Sequence, residues 1–276
     1  MTDLWELYKS DAWIEPFLIY SIIAFVSFAG ILFLSTILLR SDKIERRKRY
    51  VTYSAIIDKI LISLIFEGLT YADIKGNAEY SDYITKKSFR RQMLKALINL
   101  HKNYEGMYAK KLEDFYFESG LITISRQKLK SREWQIVCAG MQELAEMKVT
   151  EVFPELIKFS KKHHKTIKIT ALKACTSLDE NKAILHLKDH KDLIDVWTQV
   201  NIISAFKRNY AVDENKTVEL LLDSKNTTVI SLGLKVIKSL ELASKLPFVL
   251  QLIEHSPNDA IRLEAQDVVL SLNNKF

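Results

Sequence analysis

The apolar and polar positions of this 276-residue chain fall into two unlike patterns. From Phe17 to Leu39 the sequence reads FLIYSIIAFVSFAGILFLSTILL, 23 positions without a formal charge. A helix of that length covers roughly 34 Å, enough to cross a hydrocarbon layer of about 30 Å with slight tilt. Most of its side chains are Leu, Ile, Phe or Val, each favouring insertion by ~0.3–0.6 kcal/mol near the helix centre. The pattern predicts a transmembrane helix over 17–39. Ser27-Phe28-Ala29 loosely resembles a leader-peptide cleavage site. The residues before it are acidic, however, and a further apolar stretch follows, so an anchor is the better reading.

Past Leu39 the apolar residues become periodic. Ile57, Ile60, Leu61, Leu64 and Ile65 share one face of a helix over 50–66, which Asp58 and Lys59 keep from being a second span. Glu67 to Thr85 holds Gly68, Gly76 and Asn77 among several Asp and Tyr, and reads as a flexible boundary. Beyond it the sequence resembles itself. Ile261, Ala265, Val268 and Val269 set a template that recurs at Val229, Gly233, Val236 and Ile237, and again at Ile167, Ala171, Ala174 and Cys175. Weaker copies run through Thr198, Ile202, Ala205 and Phe206, and through Trp134, Cys138 and Met141. The reference position falls at Cys138, Ala171, Ile202, Gly233 and Ala265, at nearly even intervals along the chain. Second apolar stretches lie between, at 152–159, 183–187, 218–222 and 248–253.

A period of about 32 residues with two helices per unit predicts an α-solenoid, because one helix pair cannot bury its own apolar face and must stack on its neighbours. Small residues at the reference position suit close helix approach. Phe89, Met93, Ala96 and Leu97, with Leu112 to Phe117 behind them, fit as a degenerate first unit. Only 7 Gly and 4 Pro occur, which disfavours a turn-rich β-fold and agrees with an all-α chain of long helices.

In these repeats the chain resembles the HEAT-repeat family, over roughly residues 86 to 273. The Asp-x-[Val/Ile]-Arg-x-x-Ala core of that motif is clearest at Asp259, Ile261, Arg262 and Ala265. The resemblance implies a ladder of Asp and Arg between neighbouring units. Here the Arg position is taken by Gln135, Lys168, Gln199 and Ile230 in the other units, so that ladder is mostly missing. The layout, with the stretch from Leu112 to Trp134, is also similar to bacterial membrane-anchored HEAT proteins that accompany membrane glycosyltransferases in exopolysaccharide systems.

Charge orients the chain. The formal net charge is +6, but Asp3, Glu6, Asp11 and Glu15 precede the apolar run against Lys9 alone. Arg40, Lys43, Arg46, Arg47, Lys48 and Arg49 follow it, against Asp42 and Glu45. The excess of cations on the C-terminal side predicts a cytoplasmic C-terminus in the cell's inner (cytoplasmic) membrane. Trp13 and Tyr20 at one end, and Tyr50 and Tyr53 at the other, suit headgroup depth. The domains expected are a short extracytoplasmic N-terminus at 1–16, the span at 17–39, a basic juxtamembrane helix and linker at 40–85, and a HEAT-like repeat domain at 86–276.

Chemistry is sparse. No glycine-rich phosphate loop, Gly-x-Ser-x-Gly or Cys–His pairing occurs, so no catalytic or cofactor-binding residue is assigned and no cofactor is expected. Cys138 and Cys175 lie in apolar helical runs and read as buried thiols. His186 and His190, at i and i+4 with Asp189 and Asp192 nearby, have a spacing that binds divalent metals, although a solvated surface is the simpler account. His163-His164 reads as a basic turn, and Trp134 and Trp197 as core residues, with a surface anchor for a partner as the alternative. Basic clusters at Lys86-Lys87, Arg90-Arg91, Lys110-Lys111, 126–132 and 161–168 either keep the repeats soluble or hold an acidic protein or anionic lipid. No nucleic acid and no small-molecule substrate are expected. The sequence therefore points to a membrane-anchored cytoplasmic scaffold for a protein partner, not an enzyme. The alternatives are a metal or enzymatic protein using His186 and His190, or an anionic-lipid-binding module.

Overall fold

The computed structural model describes residues 14–209 and 217–273; the acidic segment carrying Asp3, Glu6 and Asp11, and Trp13 beside it, lie outside the described residues. Among the described residues the chain is all-α, with fourteen α-helices, three short 3-10 turns and no strand. It divides into two compact units, 1–60 and 61–276.

The first unit is most of one helix, α1 (Ile14–Phe66), which ends inside the second. The span and the helix at 50–66, which the sequence pattern separates, are thus one 53-residue element. The reason is local: between Arg40 and Phe66 there is neither Gly nor Pro, and the Arg, Lys and Glu residues of the charged stretch are good helix formers. From Phe17 to Leu39 every side chain is exposed, and α1 is the one described helix long and apolar enough to cross a membrane.

In the second unit, Leu61, Leu64 and Ile65 at the end of α1 are buried, and the Lys111 ammonium donates to the Ile65 carbonyl at 3.2 Å. The stretch read as a flexible boundary instead forms α2 (Tyr71–Lys75) and α3 (Ala78–Ile84). Thr70 and Asp73 make a capping box and Asn77 caps α3, so the turn-forming residues serve as helix starts. Ile74 and Tyr80 then anchor the pair in the core.

The remaining helices are α4 (Lys87–His101), α5 (Gly106–Glu118), α6 (Ile122–Lys128), α7 (Trp134–Glu146), α8 (Phe153–Ser160), α9 (Lys165–Leu178) and α10 (Glu180–Lys188). They continue as α11 (Val196–Asn209), α12 (Thr227–Ser239), α13 (Leu246–Glu254) and α14 (Asp259–Asn273). The helices carrying the repeat template pack in chain order: α7 on α9, α9 on α11, α11 on α12, and α12 on α14. Between them sit α8, α10, a 3-10 turn at Val218–Leu221, and α13.

One register correction follows from the packing. A side-chain carbon at Gly140 would lie 2.8 Å from the Lys128 Cβ and 3.3 Å from the Leu129 Cδ2. At Gly233 it would lie 2.9 Å from the Leu221 Cβ and 3.1 Å from the Leu222 Cδ2. The two glycines are separated along the chain by the same distance as both pairs of neighbours, three whole repeats. The reference position in α7 is therefore Gly140, not Cys138, and with that change Gly140, Ala171, Ile202 and Gly233 become evenly spaced, with Ala265 one position further on. Cys138 and Cys175 are both buried and unpaired.

The chain reversal after these helices repeats at the same distance. Lys148 and Glu241 are the two described non-glycine residues with positive φ, 50° and 55°. Beyond each, the next amide reaches back to close the helix, Val149 to the Leu144 carbonyl and Leu242 to the Ile237 carbonyl, both at 3.0 Å. A 3-10 turn and a helix with Pro154 or Pro247 in its first turn follow in each case.

Polar links run from the position three residues before the reference residue. Lys168 donates to Asp192 at 2.7 Å, and Gln199 donates to the Thr228 carbonyl at 3.0 Å while accepting from Lys235 at 2.7 Å. Arg262 instead pairs within its own helix, with Asp259. In the corrected register this position in α7 is the buried Val137, not Gln135.

Replacing Gly233 with Leu should cost about 3 kcal/mol through forced separation of α12 from the Val218–Leu221 turn, read as a lowered urea midpoint for the full chain in detergent. Replacing Glu241 with Gly should relieve about 1 kcal/mol of left-handed backbone strain, read as a shift of that midpoint net of the interaction that the Glu241 side chain makes.

Candidate functional site

The register places several side chains on the same face of successive helices. Counting from the reference residue, the second position holds Gln142 in α7 and Lys173 in α9, and the sixth holds Glu146, Ser177 and Arg208 in α7, α9 and α11. With one face of α4 they line a groove of about 550 Å³. Arg91, Lys95, Asn99 and Lys102 reach it from α4, sharing a face opposite the buried Phe89, Met93 and Leu97. Lys128 closes it at the end of α6, and Lys148 at the strained turn after α7. The floor is formed by small side chains, Ala139, Ala145 and Ala174.

Seven Lys and Arg side chains line this groove, with the two carboxylates Glu143 and Glu146. Both carboxylates are engaged. Glu143 pairs with Lys128 and accepts a hydrogen bond from the Ser125 hydroxyl at 2.8 Å. Glu146 pairs with Arg208 and, on its buried side, with His101. Arg91, Lys95, Lys102 and Lys173 form no ion pair among the described residues. Among the described residues no carboxylate compensates their charge.

Beneath the groove lies a buried polar centre. His101 donates from Nε2 to Glu113 at 3.1 Å and from Nδ1 to Glu146 at 3.3 Å, bridging α4, α5 and α7. Burial opposes the imidazolium, but the hydrogen bonds it donates to Glu113 and then Glu146 outweigh it, so the His101 pKa is raised. Burial likewise opposes the Glu146 charge, and the hydrogen bonds from His101 and Arg208 overcome it, carrying the carboxyl down to about 2. The hydrogen bond to Glu146 in turn raises the Arg208 pKa, against a smaller burial effect. The floor is thus held by charges that satisfy one another, while the rim is left with cations that do not.

Of the basic clusters seen in the sequence, only Arg91 and Lys128 line this groove. Arg90 donates to the Gly120 carbonyl at 3.1 Å, Lys110 pairs with Asp114 at 2.9 Å, and Lys165 with Asp195 at 2.8 Å. Sequence reasoning missed Lys95, Lys102, Lys148, Lys173 and Arg208, which are not clustered along the chain. The helical spacing of Arg91, Lys95 and Lys102, and a register set on Gly140, would have found four of these residues; Lys148 needs the turn geometry.

His186 and His190 have ring centres 6.0 Å apart. The Ser160 hydroxyl donates to the Ile157 carbonyl at 2.7 Å, leaving its oxygen to accept from His186 Nε2 at 3.1 Å. Burial lowers the pKa of both imidazoles, and His190 beside it further disfavours charge on His186. They are half-buried rather than on a solvated surface. Among the described residues no group of three His, Cys, Asp or Glu side chains is placed to hold a metal ion. Trp134 and Trp197, read as core, are instead 40% and 65% exposed. The interior of α7 is taken by Val137, Met141 and Leu144, and Trp134 lies across the His164 ring at 5.1 Å. Comparison with protein-family models, with curated proteins and with solved structures finds no match.

The buried centre makes stability depend on pH. Because the His101 pKa is raised, its contribution is complete below the ordinary histidine value of about 6.5 and is lost as pH rises through the raised value. The melting temperature of the full chain should therefore fall with rising pH in that range. His101→Ala should flatten this dependence and cost about 3 kcal/mol at pH 6, by leaving Glu113 and Glu146 without their shared cation.

Proposed function

We propose that the chain is a single-pass membrane protein carrying a HEAT-like α-solenoid on the cytoplasmic side, where it acts as a scaffold for a protein partner. The observation that carries this reading is the groove: a concave surface assembled from successive repeat helices, rimmed by uncompensated charge and floored by small residues. Scaffolds built on stacked helix pairs bind through such surfaces. The even recurrence of Gly140, Ala171, Ile202 and Gly233, with chain-order packing of α7, α9, α11 and α12, supports the solenoid architecture.

The exposed apolar stretch of α1 supports anchoring, and Arg40 to Arg49 support a cytoplasmic C-terminus. Anchoring confines the groove to the bilayer surface and raises its effective concentration toward a partner in the same membrane. A membrane glycosyltransferase of an exopolysaccharide system is the partner class suggested by the resemblance to membrane-anchored HEAT proteins. The reading assigns no catalysis.

Carbonate washing should leave the intact chain in the membrane pellet, and a C-terminal reporter active only in the cytoplasm should give signal. Cross-linking in native membranes should recover one partner in stoichiometric amount. A chain that washes off, a reporter silent inside the cell, or no partner across several detergents would each defeat the corresponding part of the reading.

A further inference from the structure

We propose that the groove across α4, α7, α9 and α11 takes an acidic peptide segment, a run of extended or helical backbone bearing several Asp or Glu side chains. This rests on the scaffold reading and names the chemistry by which the partner is chosen.

The charge argument comes first. Elsewhere in the second unit several basic residues, such as Arg132 and Lys158, also lack an ion pair among the described residues, while others are spent on nearby partners, as with Arg90, Lys110, Lys165 and Lys168. In the groove Arg91, Lys95, Lys102 and Lys173 have none among the described residues, and they arrive from two helices on either side of α7. Like charges held around a concavity repel one another, and a ligand supplying carboxylates relieves that repulsion. The two acidic groups of the groove do not supply that relief, because Glu143 is engaged by Lys128 and Ser125, and Glu146 by His101 and Arg208. Arg91 also offers a planar fork that fits a carboxylate.

The floor argues for a polypeptide. Ala139, Ala145 and Ala174 in the lining carry no side chain beyond Cβ, which leaves room for a main chain to come close. Asn99 and Gln142, both exposed in the lining, supply amide donors and acceptors that match peptide N–H and C=O groups. Binding of single-stranded nucleic acid rests on aromatic side chains that stack with bases, and among the described residues the groove lining holds no Phe, Tyr or Trp. A lipid surface favours a protruding basic and aromatic patch, whereas these cations surround a recess.

The test uses the full chain in nanodiscs of zwitterionic lipid and a labelled short peptide alternating Glu and Ala, with its Gln–Ala counterpart as control. The Glu peptide should bind saturably, weaken about tenfold or more as salt rises from about 50 to 200 mM, and exceed the Gln peptide by a similar factor. The variant R91E/K95E/K173E should lose about tenfold or more in affinity while keeping its helical circular dichroism and melting temperature. If that variant does not fold, Lys95→Gln and Lys173→Gln, each at an accessible position, should each lower affinity by about two- to fivefold.

Equal binding of the two peptides, or affinity untouched by these substitutions, would overturn the proposal. Tighter binding of a single-stranded oligonucleotide or of anionic vesicles, lost in the same variants, would also overturn it. Cross-linking separates this from the reading beneath it. A partner still recovered by the folded R91E/K95E/K173E variant would remove the acidic-peptide assignment and leave the scaffold standing, whereas no partner with the unaltered chain would remove the scaffold itself.

Discussion

Close contact at a few small side chains governs how the second unit is put together. The helices that carry the apolar template pack in chain order, so each shares its buried face with the next. The distance between them is set where Gly140 meets Lys128 and Leu129, and where Gly233 meets Leu221 and Leu222. At that separation Val229, Val236 and Ile237 close on Ile202, Phe206 and Val249 in one buried cluster. The left-handed turns at Lys148 and Glu241 are the corresponding device at the helix ends, reversing the chain early enough for the returning helix to reach the same core. Their backbone strain, about 1–2 kcal/mol at a residue with a side chain, is balanced by the burial that follows.

The same stacking decides where charge goes. Residues that face the returning helices are apolar, while the positions two and six after the reference residue turn together into the groove. The one carboxylate at those positions, Glu146, is neutralised by the buried His101 and by Arg208 of α11. The cations above it are not. A buried cluster that binds α4, α5 and α7 through His101, Glu113 and Glu146 therefore supports a rim whose electrostatics look outward. Breaking the cluster would disturb stability and groove together, because both depend on the same helices.

Much of this was legible along the chain. The apolar run at Phe17–Leu39, the all-α character, the recurrence of one apolar template and the burial of Cys138 and Cys175 all follow from local pattern. The pattern misplaced one unit, at Cys138 instead of Gly140, because Cys and Gly are both small and only the approach of α6 tells them apart. It read Glu67 to Thr85 as loose because Asn77 and Gly76 are turn formers, though such residues also start and end helices. It placed Trp134 and Trp197 inside because large aromatics usually are, whereas their positions precede the face that packs.

What the sequence determined by itself was whatever depends on neighbours within a turn or two of helix: the apolar length of α1, the charges flanking it and the recurrence of one apolar template. The tertiary structure alone decided which cations are free. Beside local pairs such as Lys110 with Asp114, ion pairs join residues far apart in the chain, 24 positions for Lys168 with Asp192 and 62 for Arg208 with Glu146, and for these no local pattern records whether a basic residue ends beside a carboxylate or beside open space. The groove exists because packing consumed some charges and left Arg91, Lys95, Lys102 and Lys173 together, and that selection is made by distance in space.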